Sequence, residues 1–298
     1  MGTLDLTEGG LETSLIFQQG VDLPLFAAFP LVQDEVGRGL LRTYWQPYVE
    51  LVENTGVSFV VDTATWRANP DWATQLGYDA HRLAGANQAA VALTREIAAE
   101  MGGAKVNGVV GPRGDGFIAG EIMTPEQAET YHFPQVKVLA EAGVDQVSAI
   151  TFTYPQEAVG LVRAARSVAI PAVVSFTVET DGRLPDGRSL RDAVEEVDRA
   201  TDRAAVGFMI NCAHPSHFAA ALEDGPWLER ITGVRANAST MSHSELDQAK
   251  ELDAGDPQDL AARCIRLLDR LPALTVLGGC CGTDHRHIAA IHEACCAS

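Results

Sequence analysis

A chain of 298 residues with 46% apolar and 21% charged residues carries enough aliphatic side chains for a sizeable core, which excludes extensive disorder. Its net charge of −18 repels phosphate backbones and anionic headgroups, and no basic patch offsets it, so nucleic acid and membrane surfaces are poor partners. The opening MGTLDLTEGGLETSL has no basic stretch followed by an apolar run, and no span of about 18 apolar residues follows, so the expected location is the cytoplasm.

Short β-rich apolar runs recur at Leu4–Thr7, Ser58–Asp62, Lys105–Val110, Gln146–Phe152, Ala172–Val178, Val206–Asn211, Gly233–Ala238 and Leu274–Leu277. Between them lie stretches with apolar spacings of three and four, among them Arg82–Met101, Glu126–Ala142, Gln156–Ser167, Ser189–Ala204 and Asp256–Leu271. Strand and helix alternate through eight units, which predicts an α/β protein built as one closed (β/α)₈ TIM barrel domain over residues 1–298. The Gly/Pro-rich stretches Val110–Gly120 and Thr180–Gly187 each follow a predicted strand and read as βα loops. In such a barrel these loops crowd the C-terminal face, where active sites are built.

Six cysteines, at positions 212, 264, 280, 281, 295 and 296, sit in the last third of the chain, a poor distribution for stapling a whole fold with disulfides. Cys212 closes the sixth predicted strand in GFMINCAHP, and Cys280 with Cys281 closes the eighth in TVLGGCCGTDH, so a barrel brings three thiols to one rim. Three thiolates hold Zn2+ tetrahedrally with one position open, the arrangement of a catalytic site, and a substrate sulfur can fill that position. Gly278, Gly279 and Gly282 would let two adjacent side chains reach one metal. The competing readings are buried thiols acting as small apolar groups and a strained disulfide between Cys280 and Cys281. Cys264, in mid-helix, reads as core, and Cys295 and Cys296 as a frayed C-terminus. His285, His287 and Asp284 read as capping or surface residues, and Asn211 as either an orienting or a structural amide.

These motifs resemble those of the homocysteine S-methyltransferase family, nearly end to end. TEGGLET at 7–13, DTATWRANP at 62–70, GPRGDGF at 111–117, NCAHP, VRANAS and GGCCGTDHRHI match in turn, the cysteine motifs being the most specific. The resemblance implies a zinc-bearing barrel with Cys212, Cys280 and Cys281 as metal ligands. It also places Glu8, Gly9, Gly10, Thr13 and Asn237 at the substrate, with Glu8 standing where an Asp near the substrate ammonium is usual. One departure bears on substrate: in VSAITFTYPQEA, Ile150 occupies the place of a family Glu that binds the amino group.

The implied reaction moves a methyl group from an onium donor, of the S-methylmethionine, S-adenosylmethionine or betaine type, to a thiol, with homocysteine giving methionine. A free thiol is mostly protonated at neutral pH, whereas a metal-bound one is deprotonated. Aromatic faces attract such cationic donors, and Phe17, Phe26, Trp45, Trp66, Trp72 and Tyr154 stand near loops. The expected partners are therefore a small-molecule thiol and a methyl donor, in a possible homo-oligomer. Two other readings stay open: methyl transfer or demethylation on another thiol or thioether, which Ile150 favours, and a non-catalytic zinc or thiol binder.

Overall fold

The computed structural model describes residues 4–297. Eight parallel strands close into a barrel in chain order: β1 (Asp5–Thr7), β2 (Ser58–Asp62), β3 (Lys105–Val110), β4 (Gln146–Phe152), β5 (Ala172–Thr177), β6 (Gly207–Asn211), β7 (Ile231–Ala236) and β8 (Val276–Gly279). Asp5 makes the closure, lying opposite Ser58 on one side and Val276 on the other. The expected (β/α)₈ barrel is what forms, and closure leaves no strand edge unpaired.

Seven long helices surround it: α1 (Glu35–Thr55), α2 (Ala80–Glu100), α3 (Pro125–Ala142), α4 (Pro155–Ser167), α5 (Leu190–Thr201), α6 (Pro257–Leu268) and α7 (His285–Cys296). Their starts are chemically marked. Asp34, Asp79, Thr124, Ser189, Asp256 and Asp284 each accept a first-turn backbone N–H, and α3, α4 and α6 open on proline. In α5 the buried Leu190, Ala193, Val194, Val197 and Thr201 follow the spacing of three and four that turns one face to the barrel. The crossover from β6 to β7 has only short helical turns, at Pro215–Phe218, Ala219–Ala221 and Pro226–Arg230.

Three details differ from expectation. Strand β7 runs from Ile231 to Ala236, so Asn237 lies just past its end in the loop. Strand β8 runs from Val276 to Gly279 rather than from Leu274 to Leu277, because Gly278 and Gly279 pair with Arg235 and Ala236 of β7; a Cβ on Gly278 would collide with Thr7 Oγ1, and one on Gly279 with Thr283 Oγ1. The C-terminus is not frayed at the cysteines. Helix α7 runs through Cys296, and Cys295 packs half-buried against the core. Cys264 is fully buried in α6, as expected.

Candidate metal centre and active-site cleft

Cys212 directly follows β6, and Cys280 and Cys281 directly follow β8, so all three lie at the C-terminal rim of the barrel. Their sulfurs lie within 4.8 Å of one another, with Cys212 Sγ and Cys281 Sγ 3.6 Å apart, and all three are free thiols. Three thiolates on a tetrahedral zinc, at about 2.3 Å each, stand about 3.8 Å apart, so the set fits that ion. No His, Asp or Glu among the described residues completes the cluster, which leaves a fourth direction open. Hydrogen bonds from Cys212 and Cys281 hold the Cys280 thiol well below its usual value, with Arg235 adding to the effect. Those same sulfur contacts, with burial, push Cys212 well up. A buried trio of thiols thus accommodates one negative charge readily, and ionising all three calls for a cation among them.

The backbone beneath the sulfurs is strained and tied down. Cys212 has φ +54° and Thr151, at the end of β4, has φ +65°, a left-handed conformation that costs a side-chain-bearing residue about 1–3 kcal/mol. Asn211 holds Thr151 from both sides: its Oδ1 accepts from Thr151 N at 3.0 Å and its Nδ2 donates to Thr151 Oγ1 at 2.8 Å. The same amide nitrogen lies 3.8 Å from Cys280 Sγ. The Cys212 carbonyl accepts from Asn237 Nδ2 at 3.0 Å and from His243 Nε2 at 2.6 Å. The peptide that places the Cys212 sulfur is thus braced by two polar side chains.

The residues expected at the substrate all line one cleft of about 400 Å³ in front of the sulfurs. Their local roles differ from a simple list of contacts. Gly9 and Gly10 serve close packing of the β1 loop on the β8 loop: a Cβ on Gly9 would lie 2.6 Å from Thr283 O, and one on Gly10 2.7 Å from Cys280 O. Thr13 ties the two loops together, donating to Gly10 O at 3.2 Å and accepting from Gly282 N at 3.3 Å. Asn237 Oδ1 and Glu8 Oε2 are buried with no hydrogen-bond partner among the described residues. Ile150 faces the cleft beside Val109, Val173 and Met209, an apolar floor.

Glu8 is not a free carboxylate. Arg235 on β7 reaches it with Nη2 at 2.6 Å and bonds Asp62 on β2 with Nη1, and all three side chains are buried. Asp62 in turn accepts from Asn107 at 2.7 Å, which extends the network to Ser148. Burial pushes the Glu8 carboxyl well up, against the pull of Arg235. Arg235 keeps its proton despite burial because Asp62 and Glu8 flank it.

The walls of the cleft are aromatic and acidic. Phe17, Phe26, Trp45 and Trp66 line it, together with Phe117, which stacks 4.2 Å from His243. Trp72 instead lies against Arg67, and Tyr154 uses its hydroxyl to accept from Met123 N. Among charged groups, Glu8, Glu12, Asp62, Asp115, Asp247, Glu251 and Asp253 outweigh Arg67 and Arg235. Burial pushes the Glu12 carboxyl up to about 7. His285 is exposed, whereas His287 is buried and pairs with Asp284 in the cap of α7. Neither histidine joins the sulfurs.

Sequence reading missed Arg235, Asp62, Glu12, Arg67 and His243. Arg235 carried a signal: an arginine inside an apolar strand requires buried anionic partners on neighbouring strands. Asp62, at the end of β2, answers it. Glu12 and His243 carry none, since their positions depend on how loops fold over the rim.

The profile of homocysteine S-methyltransferase matches residues 6–295. Homocysteine S-methyltransferase 2 of Arabidopsis thaliana is 25% identical over 182 residues, covering 59% of this chain and 53% of that protein. Selenocysteine Se-methyltransferase of Brassica oleracea var. italica is 27% identical over 179 residues, covering 59% and 51%. The matches thus span about half the length of these curated relatives. The metallated form of the homocysteine methyltransferase MmuM from Escherichia coli superposes with a TM-score of 0.75 at 22% identity, over 97% of this chain and 96% of that one. Its oxidized form gives 0.74 at 24% identity, over 97% and 95%. With a family match running almost the full length and the thiol motifs in place, the chain belongs to the homocysteine S-methyltransferase family.

Proposed function

We propose that this protein is a zinc-dependent S-methyltransferase that moves a methyl group from an onium donor to a thiol, homocysteine giving methionine. The observation that carries this reading is the convergence of Cys212, Cys280 and Cys281 on the floor of an acidic, aromatic cleft, with a fourth direction open. Zinc bound there would deprotonate a substrate thiol and keep its sulfur nucleophilic. The rest falls to the chain's own residues. Displacement at carbon needs the acceptor sulfur, the methyl carbon and the leaving heteroatom in line, and an enclosed cleft aligns them and excludes water. The carboxylates and aromatic faces suit a cationic donor of the S-methylmethionine, S-adenosylmethionine or betaine type. The orphan acceptors Glu8 Oε2 and Asn237 Oδ1 suit a substrate N–H donor. The thiols need a reducing compartment, which favours the cytoplasm.

A second reading rests on Ile150. Its apolar floor with Val109, Val173 and Met209 gives no carboxylate at that place, which favours a thiol or thioether without an amino group, methylated or demethylated by related chemistry. A non-catalytic zinc binder is disfavoured by the open fourth direction. The test is a mass-spectrometric screen of zinc-loaded protein against a matrix of thiols and methyl donors. A methylated thiol appearing only with an onium donor supports the proposal, and no product from any pair refutes it.

A further inference from the structure

Arg67, in the loop after β2, holds donors that none of the described residues uses. Its guanidinium carbon lies over two indoles, 4.3 Å from the Trp66 ring centroid and 3.8 Å from that of Trp72. Nη1 donates to Gly114 O at 3.0 Å. Nε has no hydrogen-bond partner, and Nη2 comes no closer to a carboxylate than 4.0 Å, at Asp115 Oδ2. The side chain is only 8% exposed, and it lines the cleft in front of the sulfurs.

A guanidinium is planar and packed against two indoles here, so it can bond only along its edges. With Nη1 occupied, the edge left is that of Nε and Nη2, whose N–H groups run parallel and match a carboxylate in bidentate fashion. Packing against indoles accounts for a rigid guanidinium, but not for a buried cation with donors unpaired, which costs free energy unless an anion arrives. Glu12 and Asp115 act on this charge electrostatically, yet neither makes a hydrogen bond to it. They are better placed to meet a positive group on the same ligand.

We infer that Arg67 reads the carboxylate of a zwitterionic substrate whose cationic group meets the acidic groups that line the same cleft. Both classes of substrate proposed above include such zwitterions, an amino-acid thiol as acceptor and an onium carboxylate as donor. Naming the ligand in this way rests on the methyl-transfer reading; the carboxylate contact itself does not.

The test is calorimetric titration of the zinc-loaded protein with two pairs of probes, homocysteine and its methyl ester, and S-methylmethionine and its methyl ester. In at least one pair the free acid should bind about tenfold tighter or more. Arg67→Met, which keeps an apolar stem against the indoles, should bring the acid down to the affinity of the ester and leave the ester unchanged. Arg67→Lys should retain part of the preference, as a point charge without the fork. The responding pair identifies the source of the carboxylate. Circular dichroism and zinc content check that the variants are folded, and should Arg67→Met fail there, a full preference retained by Arg67→Lys overturns the bidentate contact while a reduced one supports it. Equal binding of acid and ester by the native protein, no binding of either pair, or equal weakening of both members by Arg67→Met overturns the inference. Turnover separates it from the functional reading. An intact carboxylate preference with no methyl transfer from any pair sinks that reading alone, whereas methyl transfer with equal kcat/KM for acid and ester sinks the role of Arg67 alone.

Discussion

Arg235 Nη2 donates to Glu8 Oε1 at 2.6 Å across the barrel interior, so the acidic residue of the TEGG motif is half spent on the protein itself. Asp62 takes the other arm of the same guanidinium. Arg235→Met would strand two buried carboxylates, and we expect it to lower unfolding stability by about 3–5 kcal/mol in urea titrations. A loss well under about 1 kcal/mol would show that the triad is not a coupled unit.

Zinc should accompany the reduced protein at about one ion per chain by elemental analysis. Cys212→Ala, Cys280→Ala and Cys281→Ala should each lower that content sharply. Cys264→Ala, Cys295→Ala and Cys296→Ala should not, since Cys264 lies in the core and the other two lie at the end of α7. Full occupancy in all three of the first group would remove the metal site from this rim.

Asn211 stands between the left-handed Thr151 and Cys280, and among the described residues no other side chain bonds both. Asn211→Leu should weaken zinc affinity by about 10–100-fold, as loss of a buried group that orients ligands does elsewhere. Competition with a chromogenic chelator measures this directly. Unchanged affinity with lowered stability would restrict Asn211 to holding the β4 backbone.

Ile150→Glu tests the acceptor. If the new carboxylate meets a substrate ammonium, selectivity for homocysteine over thiols lacking an amino group should rise by about 1–3 kcal/mol, first in KM. The comparison is kcat/KM for homocysteine and for a simple alkyl thiol in both proteins. Efficient use of homocysteine by the native enzyme, with Ile150→Glu only damaging it, would mean that other acceptors such as Glu8 Oε2 already serve the amino group.

Asp284 links pH to stability. Burial alone would raise its carboxyl, but the neighbouring His287 ring and hydrogen bonds from the Arg286 side chain and N–H outweigh it and hold the group well below the usual range. A depressed carboxyl binds fewer protons folded than unfolded, so its contribution is complete above the ordinary value of about 3.9 and is lost as pH falls below it. Asp284→Ala should therefore cost about 1–2 kcal/mol near neutral pH, and the gap to the native protein should shrink at acid pH. Thermal melts of both proteins over that range decide it, and a constant gap would argue against the ionised cap.

The barrel was legible because its signals are local. A run such as Gln146–Phe152 carries Val147, Ala149, Ile150 and Phe152 and no charged residue, as suits a strand buried on both faces, and it appears with those bounds in the structure. The three thiols were legible for a related reason: each sits at the end of a strand, and eight strands in order oblige strand ends to meet on one rim. Where pairing through space decided the outcome, local signals misled, as at Gly278 and Gly279, which have low intrinsic strand preference yet extend β8 by pairing with Arg235 and Ala236 of β7. What the sequence determined by itself was therefore the order of strands and the convergence of Cys212, Cys280 and Cys281. Only tertiary structure decided which charges face one another. Arg235 finds Glu8 and Asp62 across the barrel, and Arg67 comes to rest against two indoles, because electrostatic partners are chosen by distance through space, which no spacing along the chain encodes.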